Sequence, residues 1–363
     1  MRNETRIVYN AFEKKVAQLN KVPAANKTFT VDPSIQQKLE SRVQLSSAFL
    51  GKINMPSVTE MEGEKLGLGV TSTIAGRTNT KKNPRKPRDV TGLSSGRYRC
   101  VQTNFDTGIS YAKLDMWAKF PDFQTKIRDV IVKQQALDRI MIGFNGVSVA
   151  EDTDREKFPL LQDVNKGWLQ QYRENAPVNV MTESKPGSGK IIVGKTEIKG
   201  KDNVTWNTEK GDYNSIDALV FDAVNTLIHP EYRENPNLVV IVSSELLADK
   251  YFPKINSEHA PTEEMALDML ISQKRIGGKT AVTVPFFPKD KMLILPLANL
   301  SLYWQEGGRR RHVREEPDYD QIADYTSSND AYVIEAYEAG CLIENIELLP
   351  EERAEEKPAE AGK

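Results

Sequence analysis

Apolar residues recur along this chain in two rhythms, and each predicts a different kind of element. The helical rhythm is clearest at 121–142, where Phe123, Ile127, Val130, Ile131, Gln134, Leu137 and Met141 step along one face. Pro121-Asp122 suits a first helical turn, and Gly143 and Gly146 read as the stop. At 1.5 Å per residue such a helix is about 33 Å long, roughly twice an average globular helix. It reads as the spine of a flat domain. Weaker helical patterns cover 1–20 (Val8, Phe12, Val16, Leu19), the stretch after Asp32-Pro33-Ser34 (Ile35, Leu39, Val43, Leu45) and 160–174 (Leu161, Val164, Trp168, Leu169, Tyr172). Two more follow at 213–228, opened by Tyr213-Asn214-Ser215-Ile216-Asp217, and at 262–276, with Met265, Leu267, Met269 and Leu270.

The strand rhythm appears as Leu66-Gly67-Leu68-Gly69-Val70, leaving the body, and as Tyr98-Arg99-Cys100-Val101, returning to it. Together they predict a long two-stranded arm. An isolated ribbon is marginal in water, so such an arm needs a partner surface. The run LVVIVS at 238–243 reads as a buried strand, with further strands at 281–286 and 292–304 and two within 331–348, Gly340 between them. Residues 178–212, rich in Lys, Gly, Thr and Asn, read as a loop with a small hairpin. The middle of the chain is therefore an α+β domain with its own core.

At 363 residues the chain allows one large or two ordinary domains. A formal net charge of −2 excludes a protein that coats nucleic acid with its whole surface, so any polyanion contact is local. Two cysteines, Cys100 and Cys341, have neither metal-ligand spacing nor a disulfide framework and read as reduced, small apolar side chains. No apolar run approaches the ~20 residues of a membrane span, so no membrane contact is expected. The charged N-terminus carries no apolar core of a secretory signal.

Charge is uneven along the chain. Residues 1–27 hold six basic residues (Arg2, Arg6, Lys14, Lys15, Lys21, Lys27) against Glu4 and Glu13, a net +4. This segment reads either as a basic amphipathic helix on a flexible stalk or as a terminal helix docked on its own domain. Lys81, Lys82, Arg85, Lys86 and Arg88 crowd the tip of the predicted arm. Arg309, Arg310, Arg311, His312 and Arg314 form a second basic cluster, followed at once by Glu315, Glu316 and Asp318. Either cluster could meet phosphate, but a solvated loop or ion pairs with protein fit better beside so many carboxylates. Residues 350–363, with five Glu, read as a disordered tail.

One stretch, Gly189-Lys190-Ile191-Ile192-Val193-Gly194-Lys195-Thr196, matches the phosphate-binding P-loop letter for letter. That loop needs a flexible turn feeding a helix N-terminus, whose amides point at phosphate. Here Ile-Ile-Val occupies the turn and favours a strand, and no helix pattern follows Thr196. His229, His259 and His312 share no motif, and no Gly-x-Ser-x-Gly elbow occurs. No catalytic, cofactor or metal site is expected. The competing functional reading is a P-loop nucleotide-binding or DNA-packaging protein.

Several longer runs resemble one family. They include Phe29-Thr30-Val31-Asp32-Pro33-Ser34, Leu114-Asp115-Met116-Trp117-Ala118, Gly143-Phe144-Asn145-Gly146-Val147, Gly167-Trp168-Leu169-Gln170, Leu246-Leu247-Ala248-Asp249-Lys250-Tyr251-Phe252-Pro253 and Ile271-Ser272-Gln273-Lys274-Arg275-Ile276-Gly277. The resemblance, to major capsid proteins of P2-like tailed phages, covers nearly the whole chain and is weakest at 77–92 and 178–210. It implies a Hong Kong-97-type capsid fold. On that plan 1–27 is a removable basic helix that contacts scaffold, 28–61 an N-terminal arm and 62–100 the extended hairpin arm or E-loop. Residues 101–211 would be the peripheral domain with the spine helix, 212–300 the axial domain, 301–349 the returning strands and 350–363 the tail. The resemblance further implies hexamers and pentamers closing an icosahedral head, an internal scaffolding protein, a maturation protease, a portal protein and packaged double-stranded DNA. It places the processing site at Lys27 and Thr28, just before Phe29-Thr30. The arm tip (Lys81, Lys82, Arg85, Lys86, Arg88) reads, from its residues alone, as a contact between subunits.

Overall fold

A computed structural model of the chain describes residues 1–70, 91–117, 123–199, 205–248, 250, 274–350 and 352–354. The chain divides into two units, one of 1–37, 56–119 and 303–331, the other of 38–55, 120–302 and 332–363.

The second unit is built on a six-stranded mixed sheet. Its order is Arg275–Ile276, Lys279–Thr283, Leu238–Val242, Met292–Pro296, Cys341–Ile343, Val180–Met181. Both faces are covered. Ile241, Leu293, Leu295 and Leu342 turn to one face and pack with Val132, Ala136, Ile140 and Phe144 of the spine helix (Phe123–Asn145) and with Trp168, Leu169 and Tyr172 of a short helix, Trp168–Asn175. Val240, Val242, Met292, Ile294, Cys341 and Ile343 turn to the other, against Leu219, Val220 and Ala223 of the helix Ile216–Leu227. Burial on both sides explains why LVVIVS is continuously apolar rather than alternating. Ser215 caps that helix, its hydroxyl accepting the Ala218 amide at 3.3 Å.

The spine helix differs from the sequence reading in two respects. It runs through Gly143 to Asn145. Gly143 is there for packing, since a β-carbon on it would lie 2.2 Å from the Trp168 ring. Its buried stripe is also rotated: Val132, Gln135, Ala136, Arg139, Ile140 and Gly143 face inward, while Val130 is 68% exposed and Gln134 is exposed. The true inner face contains a charge, and hydrophobic periodicity reads charge as outside. Residues 121 and 122 and the side chains of Phe123 and Ile127 lie outside the described set.

Other expectations are corrected as well. Of the helix expected over 160–174 only Trp168–Asn175 forms. Leu161 takes a positive φ of 56°, and the Asp163 carboxylate accepts the Asp154 amide at 2.7 Å, which folds 150–163 as a loop. The helix expected over 262–276 ends instead as the strand Arg275–Ile276, and 262–273 lie outside the described residues. The strand expected over 292–304 is two strands, Met292–Pro296 and Leu300–Gln305, separated by a 3-10 turn at Leu297–Asn299. Within the expected tail, Glu352–Ala354 pairs in parallel with Lys195–Lys199.

The first unit is a ladder around one long strand, Gln321–Ile334. Arg310–Glu316 pairs along it from Arg310↔Ser327 to Glu316↔Gln321, while Val101–Asn104 and Thr107–Ser110 pair with it at Asp330↔Val101 through Gln321↔Ser110. The two-residue strand Phe29–Thr30 lies beside Arg310–Glu316. The predicted arm is present as Glu62–Val70 paired antiparallel with Thr91–Arg99, Leu68 opposite Leu93. Its basic tip, with Lys81, Lys82, Arg85, Lys86 and Arg88, lies outside the described residues.

Candidate assembly and processing site

The N-terminal segment is a helix, Asn3–Leu19, and it is docked on its own unit. The buried side is Thr5, Tyr9, Val16 and Ala17, with Phe12 half-buried. Val8 and Leu19, expected on the inner face, are 36% and 52% exposed. Polar anchors explain the rotation. Arg6 donates both guanidinium arms to Glu315, at 3.2 and 3.0 Å, and Tyr111 donates its hydroxyl to the same carboxylate at 3.0 Å. The Arg2 amide donates to Asp115 at 3.0 Å. Burial would push Glu315 up, but the hydrogen bonds from Arg6 and Tyr111 outweigh it and hold the group below the ordinary carboxylate range. Hydrogen bonds from Thr5 and from the Arg2 amide hold Asp115 low in the same way. Burial first, then Glu13 and Glu315, push the Tyr9 hydroxyl up to about 12.

Beyond this helix the chain follows the edge strand Arg310–Glu316. The Val313 amide donates to the Ala25 carbonyl at 3.1 Å, Phe29 and Thr30 pair with Arg311 and Arg310, and the Val31 amide donates to the Arg309 carbonyl at 2.9 Å. Ala25, Phe29 and Val31 are buried with Val16 and Ala17 in a small apolar cluster. Lys27 and Thr28, the predicted processing pair, stand exposed in the middle of this strapped segment. His312 reaches across it: Nε2 lies 3.1 Å from the Asn26 carbonyl and Nδ1 3.5 Å from Thr28 Oγ1. The ring therefore fits the tautomer that donates from Nε2 and accepts at Nδ1.

Arg310, Arg311, His312 and Arg314 of the basic cluster lie on the same strand, and Arg311 and Arg314 are paired within the unit. Arg311 grips Asp324 with two bonds, at 3.0 and 2.6 Å. Arg314 pairs with Glu316, which also accepts Tyr325 at 2.6 Å and Gln321 at 2.8 Å and is held at about 2 by these hydrogen bonds. Arg309 is buried, at 2% exposure. This arrangement serves contacts between strands rather than an open phosphate-binding stripe.

The P-loop look-alike has a different structure from its namesake. Ile191–Val193 and Lys195–Lys199 are strands, joined at Gly194 with φ 107°. The Gly189 amide at the start of the motif, with that of Gly187 before it, already donates to the Glu183 carboxylate, at 3.1 and 3.0 Å. The Thr196 hydroxyl donates to the Pro350 carbonyl at 2.6 Å and is buried. The nucleotide reading has no site here.

Both thiols are buried, and burial pushes Cys100 up to about 12 and Cys341 higher still, so both are inert. Among the described residues no group of three or more His, Cys, Asp or Glu is placed to hold a metal, and no helix is long and apolar enough to cross a membrane.

A hairpin arm, a strand ladder and a long helix laid on a mixed sheet are the parts of the Hong Kong-97-type capsid fold. The capsid of an empty GTA particle shares that fold at 12% identity, with a TM-score of 0.51 over 83% of this chain and 90% of that one. The chain belongs to the P2 family of phage major capsid proteins, whose family model matches residues 8–346. It is 49% identical to the capsid protein of Escherichia phage P2 over 96% of both chains. It is 40% identical to the major capsid protein of Serratia phage KSP20 over 95% of this chain and 97% of that one. Its structure is similar to the chain of the satellite phage P4 procapsid, which includes a size determination protein, with a TM-score of 0.77 and 47% identity over 96% and 99% of the two chains. The protein is thus a major capsid protein of the phage head, a shell component rather than an enzyme.

Proposed function

We propose that the chain assembles as hexamers and pentamers into an icosahedral head around double-stranded DNA, and that residues 1–27 are removed during maturation by cleavage at Lys27 and Thr28. Membership of the P2 family over nearly the whole chain carries this reading. The domain plan follows from it: 28–61 is the N-terminal arm, 62–100 the extended hairpin, 101–211 the peripheral domain, 212–300 the axial domain, 301–349 the returning strands and 350–363 the tail. The tip residues Lys81, Lys82, Arg85, Lys86 and Arg88 contact a neighbouring subunit. The internal scaffolding protein, the maturation protease, the portal protein and non-specific contacts to DNA complete the partners.

The N-terminal helix supports the scaffold role. Its outer side carries Lys14 and Lys15, exposed, beside Ile7 at 70% exposure and Leu19 at 52%. A basic ridge with apolar flanks fits an acidic amphipathic partner. Deleting 1–27 tests this. The shortened chain, expressed with scaffold and viewed by negative-stain microscopy, should stay folded but give aberrant or scaffold-free assemblies. Normal heads from it would disprove the role.

A further inference from the structure

The proposed processing pair is exposed, but the backbone on either side of it is tied down. A protease binds its substrate as an extended chain several residues long, with the backbone free to pair with the enzyme. Cut sites in folded proteins therefore sit in loops that can leave the body. The segment around Lys27 and Thr28 does not meet this requirement. Its backbone is tied to the edge strand on both sides of the bond: at Ala25 by the Val313 amide, and at Phe29, Thr30 and Val31 by strand pairing and the Arg309 carbonyl. Ala25 is fully buried, Phe29 is 8% and Val31 4% exposed, so both flanks are also anchored by side chains. Between the anchors the only side chain bridging the bond from the facing strand, among the described contacts, is His312, through the Asn26 carbonyl at 3.1 Å and Thr28 Oγ1 at 3.5 Å. The Tyr325 ring lies beside the imidazole, ring centroids 6.1 Å apart.

We propose that the segment 25–31 is a strap that keeps the processing bond out of a protease's reach in the folded subunit, and that His312 is the positioning residue that clips it. The proposal rests on the reading of Lys27 and Thr28 as the processing site and deepens it. Cleavage then requires the strap to peel from Arg310–Glu316, so an event that loosens this edge strand permits it. Cutting of a transiently opened segment follows the open population when closing is fast, so each contact removed from the closed form raises the rate directly.

The Lys27–Thr28 bond follows a lysine, so trypsin reads the strap without the phage enzyme. The full chain is digested briefly and the products are timed by mass spectrometry. The Arg155–Glu156 bond, in an exposed loop of the other unit, serves as reference. In the wild type Lys27–Thr28 should be cut more slowly than the same bond in a synthetic peptide of residues 20–35. His312→Ala should speed that cut roughly tenfold and leave the reference rate unchanged, the loss of about one hydrogen bond's worth of closure. His312→Gln, whose amide can still donate to the Asn26 carbonyl, should stay near wild type. Two results overturn the proposal: wild-type cutting at Lys27–Thr28 as fast as in that peptide, or no change in His312→Ala. Acceleration of both bonds together marks general unfolding, and equal acceleration in His312→Gln then counts against a specific clip. Intact mass of the chain from assembled heads is read separately. An untrimmed chain there overturns the processing reading, whereas the trypsin rates judge the strap alone.

Discussion

The two units of this capsid protein are held together by different means. The unit containing the spine helix buries a sheet between two helical layers, and its cohesion is apolar on both faces. The unit containing the N-terminus is a ladder of paired strands to which a helix is fastened by Arg6, Tyr111 and the Arg2 amide and by one small apolar cluster. Apolar burial is cooperative and non-directional, so a closely packed layer resists piecemeal opening. Fastening by a few exposed polar bonds is local and reversible, because each is worth little in water. Piecemeal opening is therefore expected of the second kind of surface, and resistance to deformation of the first.

The sharpest way to break the comparison is at the charge buried in the apolar unit. Glu40 and Arg139 pair at 3% and 1% exposure, Arg139 on the inner face of the spine helix. Arg139→Ala takes the guanidinium away from a buried carboxylate and should cost about 3–5 kcal/mol. Replacing both, as Glu40→Leu with Arg139→Met, should recover most of it. Denaturant unfolding of both variants reads the difference. Equal losses in the single and double variants would mean that the pair is more than a neutralised charge.

A smaller effect tests packing alone. Gly143→Ala places a methyl where the Trp168 ring sits and should cost about 1–3 kcal/mol, seen as a lower unfolding midpoint and a shift in tryptophan emission. An unchanged midpoint would show that the ring can move aside.

The smallest effect sharpens the other side of the comparison. Glu315 and Asp115 are held below the ordinary carboxylate range by the docked helix. A group whose folded value is lowered contributes stability above its unfolded value, and that contribution is lost as pH falls through the folded one. Docking of the N-terminal helix should therefore be complete at neutral pH and weaken below about pH 4, the ordinary carboxylate range. Hydrogen exchange along Asn3–Leu19 measures it. Glu315→Gln should mimic the acid effect at neutral pH by under about 1 kcal/mol, while exchange in the spine helix stays unchanged.

Both helices show where a linear pattern stops being informative. Their existence is legible at 1–20 and 121–142, because apolar residues at helical spacing admit few other structures. Their facing is not. The sequence pattern turns Val8, Leu19, Val130 and Gln134 inward, whereas the folded chain turns Thr5, Tyr9, Gln135 and Arg139 inward instead. Each of these polar groups can be buried because a partner meets it, and the partner is far away in sequence. Glu40 is 99 positions from Arg139, and Glu315 is 309 from Arg6. The site has the same character. The resemblance at Phe29-Thr30 points to Lys27 and Thr28 as a processing pair, but His312 lies 284 positions from Thr28 and shares no motif with it.

The sequence by itself determined the family, the absence of a working P-loop, the hairpin arm and the positions of the principal helices and strands. Each rests on local composition or on runs long enough to be specific. Only the tertiary structure decided which face of each helix is buried, that the N-terminal helix is fastened rather than free, that Arg311 and Arg314 of the basic cluster pair with Asp324 and Glu316, and that Phe29–Thr30 runs along an edge strand. All four depend on pairs of groups brought together from distant parts of the chain. The free energy of such a pair is fixed by burial and distance, which no spacing along the sequence encodes.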